Sequence, residues 1–249
     1  MRFLVIQHAA CEPPGAYEDE LRAREIAFDR VEIDEVRALP EWHGFHAVVA
    51  MGGPMGANDD DELPWLAGER RLIGDAVRAG VPYWGVCLGA QLLAASLGAR
   101  VYTGERPEIG VRSDVELTDA ALRDPVFAGA PARITTLQWH GDTFELPDGA
   151  TLLATSSEYA NQAFAWGRAY GLQFHLEASP ELARSWLDVP EYAAELDEVH
   201  GAGAVQALAG ELQELHGATA LARELFGRWI DRVVRASSSR SADPAAGAP

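Results

Sequence analysis

Residues 83–93 read Tyr83-Trp84-Gly85-Val86-Cys87-Leu88-Gly89-Ala90-Gln91-Leu92-Leu93. An apolar run, Val81–Val86, passes straight into a helical stretch, and a cysteine stands at the junction between Gly85 and Gly89 in a G-x-C-x-G pattern. This is the thiol form of a nucleophile elbow. A nucleophile presented from a sharp turn at the carboxyl end of a strand needs small residues two positions to either side, so that the chain can double back. The helix opening at Leu88 predicts a thiol pKa lowered by the helix dipole. It also leaves the Leu88 N–H free to stabilise an oxyanion. A buried structural cysteine is the competing reading, since thiols pack well, and segments elsewhere in the chain decide between them.

Upstream of the elbow, short apolar runs alternate with helical stretches. Phe3–Gln7, Val31–Ile33, Ala47–Met51 and Val81–Val86 read as strands, several of them continuous rather than alternating, as parallel strands buried on both faces are. Between them, Tyr17–Ala27 and Pro64–Ala79 read as helices. The second has Asp59, Asp60, Asp61 and Glu62 before it, Pro64 in its first turn and Gly80 just past its end, and Leu66, Ile73 and Val77 share one face. This βα alternation predicts an α/β fold with an open, mostly parallel sheet and helices on both faces. Downstream of Arg100 the texture changes to a small antiparallel region: Val101–Thr103, Ile109–Leu117, Ile134–Gln138, Thr151–Thr155, Ala163–Trp166 and Ala169–His175, with a hairpin turn at Gly167-Arg168. After Glu177 a helical C-terminal segment follows, with breaks expected at Pro190, Gly201–Gly203 and Gly217. It carries two core-facing stripes, Leu208/Leu212/Leu215 and Leu221/Leu225/Trp229/Val233. One domain over residues 1–236 and a disordered Ser/Ala/Pro/Gly tail over 237–249 are expected.

Three further segments carry polar groups suited to chemistry. In Gln173-Phe174-His175-Leu176-Glu177, an extended chain puts His175 and Glu177 on the same face, where the carboxylate orients the imidazole while the ring reaches Cys87. In Met51-Gly52-Gly53-Pro54-Met55-Gly56, glycines after a strand allow a backbone N–H to approach a reacting carbonyl oxygen. Gln138-Trp139-His140-Gly141-Asp142 reads as a loop after a strand, and His140 rivals His175 as base. His175 is preferred because only it has an acid placed to orient it. The seven histidines show no zinc-ligand spacing, so neither a metal nor another cofactor is expected.

The charge balance narrows the partners. Thirty-eight acidic against twenty basic residues give a formal charge of −18, which disfavours nucleic acid and anionic membrane. Cys11 and Cys87 are too few for a disulfide framework. The four-residue apolar run Phe3–Ile6 is short of the ~7–15 residues of an export signal, so a cytoplasmic location is expected.

Together, MGGPMG, GVCLGAQLLAASLG, QWHGDTFELPDGATLLATS and GLQFHLE resemble the class I (triad-type) glutamine amidotransferases, above all the glutaminase portion of GMP synthase and its stand-alone relatives. The resemblance runs from about residue 46 to 177. It implies a flavodoxin-like α/β fold and a γ-glutamyl thioester on Cys87, with His175 as base, Glu177 as its orienter and oxyanion N–H groups from Gly53 and Leu88. It further implies that Gln91, with the backbone of Gly141 and Asp142, holds the amino-acid end of glutamine or of a γ-glutamyl compound. The sequence departs from the family at Leu176, where the family has proline between His and Glu. No phosphate-binding glycine loop follows, so an ammonia acceptor would sit on a separate synthetase subunit. The alternatives are a γ-glutamyl peptide hydrolase acting alone and a non-catalytic regulatory member of the fold.

Overall fold

The structure, a computed structural model, describes residues 1–33 and 39–236. The tail expected over 237–249 lies outside the described residues. Among those described, nine strands form one sheet: β1 (Arg2–Gln7), β2 (Ala27–Glu32), β3 (Ala47–Ala50), β4 (Tyr83–Val86), β5 (Val101–Leu117), β6 (Arg133–Phe144), β7 (Thr151–Thr155), β8 (Ala163–Trp166) and β9 (Ala169–Leu172). Their order is β2-β1-β3-β4-β9-β8-β7-β5-β6. The first five run parallel and the rest are joined antiparallel. The mixed α/β fold is flavodoxin-like, and in such sheets ligands bind beyond the carboxyl ends of the parallel strands.

Both faces of β1, β3, β4 and β9 are buried, as their apolar runs require, while the edge strand β2 stays partly exposed. In β1, Phe3 and Val5 enter one core cluster while Leu4 and Ile6 enter the other. Helices α1 (Ala16–Ala23) and, in the C-terminal segment, α7 (Leu215–Trp229) cover the first face. Helices α2 (Trp65–Arg78) and α3 (Leu88–Ser96) cover the second. Under α7, Trp84, Phe226 and Trp229 stack with ring centroids 5.2–5.6 Å apart. Each such pair adds about 0.5–1.5 kcal/mol to the area burial. Both C-terminal leucine stripes face the core as expected. The segment between the sheet and α7 holds α4 (Pro180–Trp186), α5 (Pro190–His200) and α6 (Ala204–Glu211).

Several boundaries differ from the sequence reading. The first helix stops at Ala23 rather than Ala27, because Glu25 takes φ +53° and turns the chain into β2, which begins at Ala27 and not Val31. The two strands expected at Val101–Thr103 and Ile109–Leu117 are one long strand, bent by register shifts after Thr103 and Arg112. β6 runs on to Phe144, so His140, Gly141 and Asp142 lie in a strand opposite Thr103 and Glu108, not in a loop. β9 ends at Leu172, and His175 is held instead by an isolated bridge to Leu137. Gly217 does not break the helix; it lies in the first turn of α7. Among the described residues no helix is long and apolar enough to cross a membrane.

Candidate functional site

The elbow is built as its glycines demand. Cys87 takes φ +49°, ψ −106°, a strained conformation for a residue with a Cβ, costing on the order of 1–3 kcal/mol. A Cβ on Gly85 would stand 2.6 Å from the Gly89 carbonyl carbon, and one on Gly89 would stand 2.2 Å from the Ala50 oxygen. The turn is tied down by Cys87 N–H donating to Leu172 O (2.7 Å), Gly89 N–H to Met51 O (3.1 Å) and Tyr83 O–H to Gly89 O (2.7 Å). Strands β3, β4 and β9 are thereby locked together at their carboxyl ends, under the sulfur.

His175 and Glu177 meet as the extended reading expected. Nδ1 of the ring is 2.7 Å from Glu177 Oε1, and both side chains are buried. The Trp186 indole stands edge-on to the imidazole at 5.0 Å, and Ala16 N–H at the start of α1 donates to Glu177 O (3.1 Å). Leu176 gives the departure from the family pattern a physical content: its N–H donates to Glu177 Oε2 at 3.1 Å, a bond that proline lacks the hydrogen to make. With Nδ1 occupied, Nε2 is the nitrogen left for Cys87. Burial opposes charge on the ring, but the Glu177 carboxylate and the Cys87 sulfur outweigh it and hold the imidazole well above its ordinary pKa. The thiol goes the other way from expectation. Burial pushes Cys87 up, against hydrogen bonding from His175 and, last in size, the Leu88 N–H. Burial therefore outweighs the helix N-terminus in setting the thiol's pKa.

His140 also has an acid, which corrects the ground on which it was set aside. Its Nε2 stands 3.2 Å from Glu108 Oε2, while Nδ1 lies 3.0 Å from Asp142 O. Nδ1 is thus engaged by the Asp142 carbonyl, while Nε2 stands near Glu108 without a hydrogen bond to it. Gln91, in α3, donates to Asp142 O and to Gln173 Oε1, each at 3.3 Å, and Gln173 Nε2 is 3.6 Å from the Cys87 sulfur. Gly53, Gln91, Gly141 and Asp142 all line one cavity of about 530 Å³ that opens onto Cys87. Leu88 is buried behind it.

The sequence reading missed residues that matter to this cavity. Glu12 is buried beside the sulfur, accepts the Tyr192 hydroxyl at 2.5 Å, and is pushed up in pKa by burial despite the charge of His175. Gly52 separates the reactive groups: a Cβ there would stand 2.2 Å from Glu12 Oε2, 2.9 Å from His175 Cε1 and 3.4 Å from Cys87 Cβ. From α5, Tyr192 and Glu195 form a wall, with Trp139 Nε1–H donating to Glu195 at 3.0 Å. Glu12 carries no motif signal, and its neighbour Tyr192 is 180 residues away. Among the described residues no group of three or more His, Cys, Asp or Glu side chains is placed to hold a metal.

Known proteins with this arrangement can now be set beside it. The sequence model of the family "Glutamine amidotransferase class-I" matches residues 16–187. A glutamine amidotransferase-like protein of Salmonella typhimurium, YfeJ, is 33% identical over 215 residues, 84% of this chain and 88% of that one. The glutamine-hydrolyzing GMP synthase of Thermomicrobium roseum is 32% identical over 174 residues, 66% of this chain but 30% of that protein's length. The crystal structure of a glutamine amidotransferase from Thermotoga maritima superposes with TM-score 0.82 at 34% identity, covering 93% of this chain and 98% of that one. A shared fold, an alignment over most of the chain and a family match through the elbow to residue 187 lead to one conclusion: the chain belongs to the class-I glutamine amidotransferase family.

Proposed function

We propose that this protein hydrolyses the γ-amide of glutamine, or the amide bond of a γ-glutamyl peptide, through a γ-glutamyl thioester on Cys87. The observation that carries the reading is the strained cysteine at the strand-to-helix turn, facing an imidazole whose other nitrogen is 2.7 Å from a buried carboxylate. The Cys87 proton passes to His175 Nε2 as the sulfur attacks the amide carbon. The tetrahedral oxyanion is met by the N–H groups of Gly53 and Leu88. Collapse breaks the C–N bond, and the imidazolium returns the proton to the departing nitrogen as ammonia or amine. Water, deprotonated by the same ring, then attacks the thioester to release glutamate and restore the thiol. Glu177 orients the ring and balances its charge. Gln91 and the backbone of Gly141 and Asp142 hold the amino-acid end of the substrate.

A γ-glutamyl peptide as substrate is favoured by the cavity. About 530 Å³ lies in the range that accepts drug-sized ligands, leaving room beyond the γ-amide for a leaving group larger than ammonia. Turnover without a second chain is supported by a site whose thiol, imidazole and carboxylate already stand within reach of one another. The expected outcome is steady glutamate release by the purified protein on glutamine or a γ-glutamyl dipeptide, measured against Cys87→Ala as blank. No release above that blank on either compound, followed by strong activation with a synthetase-containing extract, would reject unassisted hydrolysis in favour of an ammonia-delivering subunit.

A further inference from the structure

His8 follows β1 directly, at the carboxyl edge of the sheet, and its side chain is fully buried. Its Nδ1 is 3.1 Å from Gly52 O, and its Nε2 is 3.0 Å from both carboxylate oxygens of Glu69 in α2, itself fully buried. Trp65, one turn earlier on α2, stacks on the ring at 5.9 Å. Burying a carboxylate and an imidazole costs several kcal/mol of desolvation per ion, and a well-packed apolar pair serves stability as well or better. The pair therefore calls for an explanation other than stability, and the one backbone group it grips supplies it.

We propose that His8, held by Glu69, is a positioning residue that fixes the Gly52–Gly53 peptide so that the Gly53 N–H faces the carbonyl oxygen of the reacting amide. The inference rests on the hydrolase reading given above. No peptide bond among the described residues is cis, so the Gly52 carbonyl and the Gly53 N–H point in opposite directions. With the carbonyl pinned to His8, the N–H is directed away from His8. Gly53 lines the Cys87 cavity, and among the described residues no group accepts its N–H. A Gly-Gly peptide needs such a restraint, because two residues without Cβ atoms leave it free to flip. Side chains cannot substitute: the Gly52 Cβ position is blocked by Glu12 and His175, and the Gly53 Cβ position lies 2.8 Å from His8 Cβ. The restraint does not depend on which partner holds the second proton. Gly52 O can only accept, so Nδ1 carries hydrogen whether Glu69 is ionised or shares its own proton with Nε2. Burial opposes charge on His8, yet Glu69 raises its pKa above the ordinary value, in keeping with hydrogens on both nitrogens.

The test replaces the pair by apolar residues of similar size, so that no charge is left buried alone. In His8→Leu/Glu69→Leu, kcat for glutamate release should fall about 10²–10³-fold, the loss of one oxyanion donor. KM should change little. Alkylation of Cys87 by iodoacetamide, which passes through no oxyanion, should keep its wild-type rate. Asparagine places its side-chain amide nitrogen near the position of Nδ1, so His8→Asn/Glu69→Leu should recover at least about tenfold of the lost kcat, on the order of one restored hydrogen bond. Unchanged kcat in the double-leucine protein, an asparagine variant no better than leucine, or alkylation slowed as much as turnover would overturn the assignment. A wild-type protein without turnover would sink the hydrolase reading alone. A crystal structure of the double-leucine variant then decides, and a Gly52 carbonyl still in its present direction overturns the proposal.

Discussion

Cys87→Ala should release no glutamate above background, a fall on the order of 10⁴–10⁶-fold. In the proposed mechanism the sulfur is both the attacking atom and the acyl carrier. Alanine also removes the only thiol that His175 can deprotonate, so the loss appears in kcat with substrate binding retained. The fold should survive, since deleting one sulfur leaves a small void beneath Gln173 and Trp139. The backbone supplies a second signature. At φ +49° alanine keeps the strain while glycine relieves it, so Cys87→Gly should be more heat-stable than Cys87→Ala while equally inactive. A glutamine-like electrophile should label Cys87 and spare Cys11, which is half-buried and lies against Tyr192. Residual turnover in the alanine protein, or labelling confined to Cys11, would sink the assignment.

His175→Ala should cost at least about 10³-fold in kcat, because one ring is asked to take the thiol proton and to return it to the leaving nitrogen. Glu177→Gln should be nearly as damaging, for a reason specific to this chain. The Leu176 N–H donates to Oε2, so the glutamine side chain must present its oxygen there and its NH₂ to His175 Nδ1. That forces the hydrogen onto Nε2, the nitrogen that should accept from Cys87. Glu177→Ala imposes no tautomer, and it should retain about tenfold more activity than Glu177→Gln, roughly the worth of one hydrogen bond. The reverse order would reject the arrangement. The pH dependence has a fixed sign. Glu177 raises the His175 pKa above its ordinary ~6.5, so the ring contributes stability that is complete below that pH and lost as pH rises through the raised value. Thermal melts of wild type and Glu177→Gln should therefore converge as pH increases.

The elbow and the His-Leu-Glu segment were legible in the sequence because each is a local device. Glycine spacing around Cys87 and the two-residue period between His175 and Glu177 act over a few residues, and patterns of that range survive in a one-dimensional reading. Strands β1, β3 and β4 were legible for the same reason, each being an uninterrupted apolar run, whereas β2 carries Asp29 and Arg30 within it and was read too short. What pairs across long separations was not. Glu108 meets His140 only because β5 continues through Gly104 and Pro107 to lie against β6, and a sequence reading breaks the strand there. His8 and Glu69 are 61 residues apart, and Glu12 reaches Tyr192 through the packing of α5. The thiol pKa failed differently. The helix N-terminus was identified correctly, but burial, which belongs to the tertiary structure, is the dominant influence on the sulfur and pushes the thiol up.

Gly52 also shapes which sequences can lead away from this one. The oxygen that a Cβ at position 52 would strike first belongs to the flexible end of Glu12, whereas His175 and Cys87 are held by the strands beneath them. The clash with Glu12 can be relieved by rotating or shortening that side chain, but the 2.9 Å approach to His175 Cε1 cannot while the imidazole keeps its place. Position 52 therefore stays bound to glycine whichever residue stands at 12, and the constraint on its evolution comes from the ring and not from the glutamate.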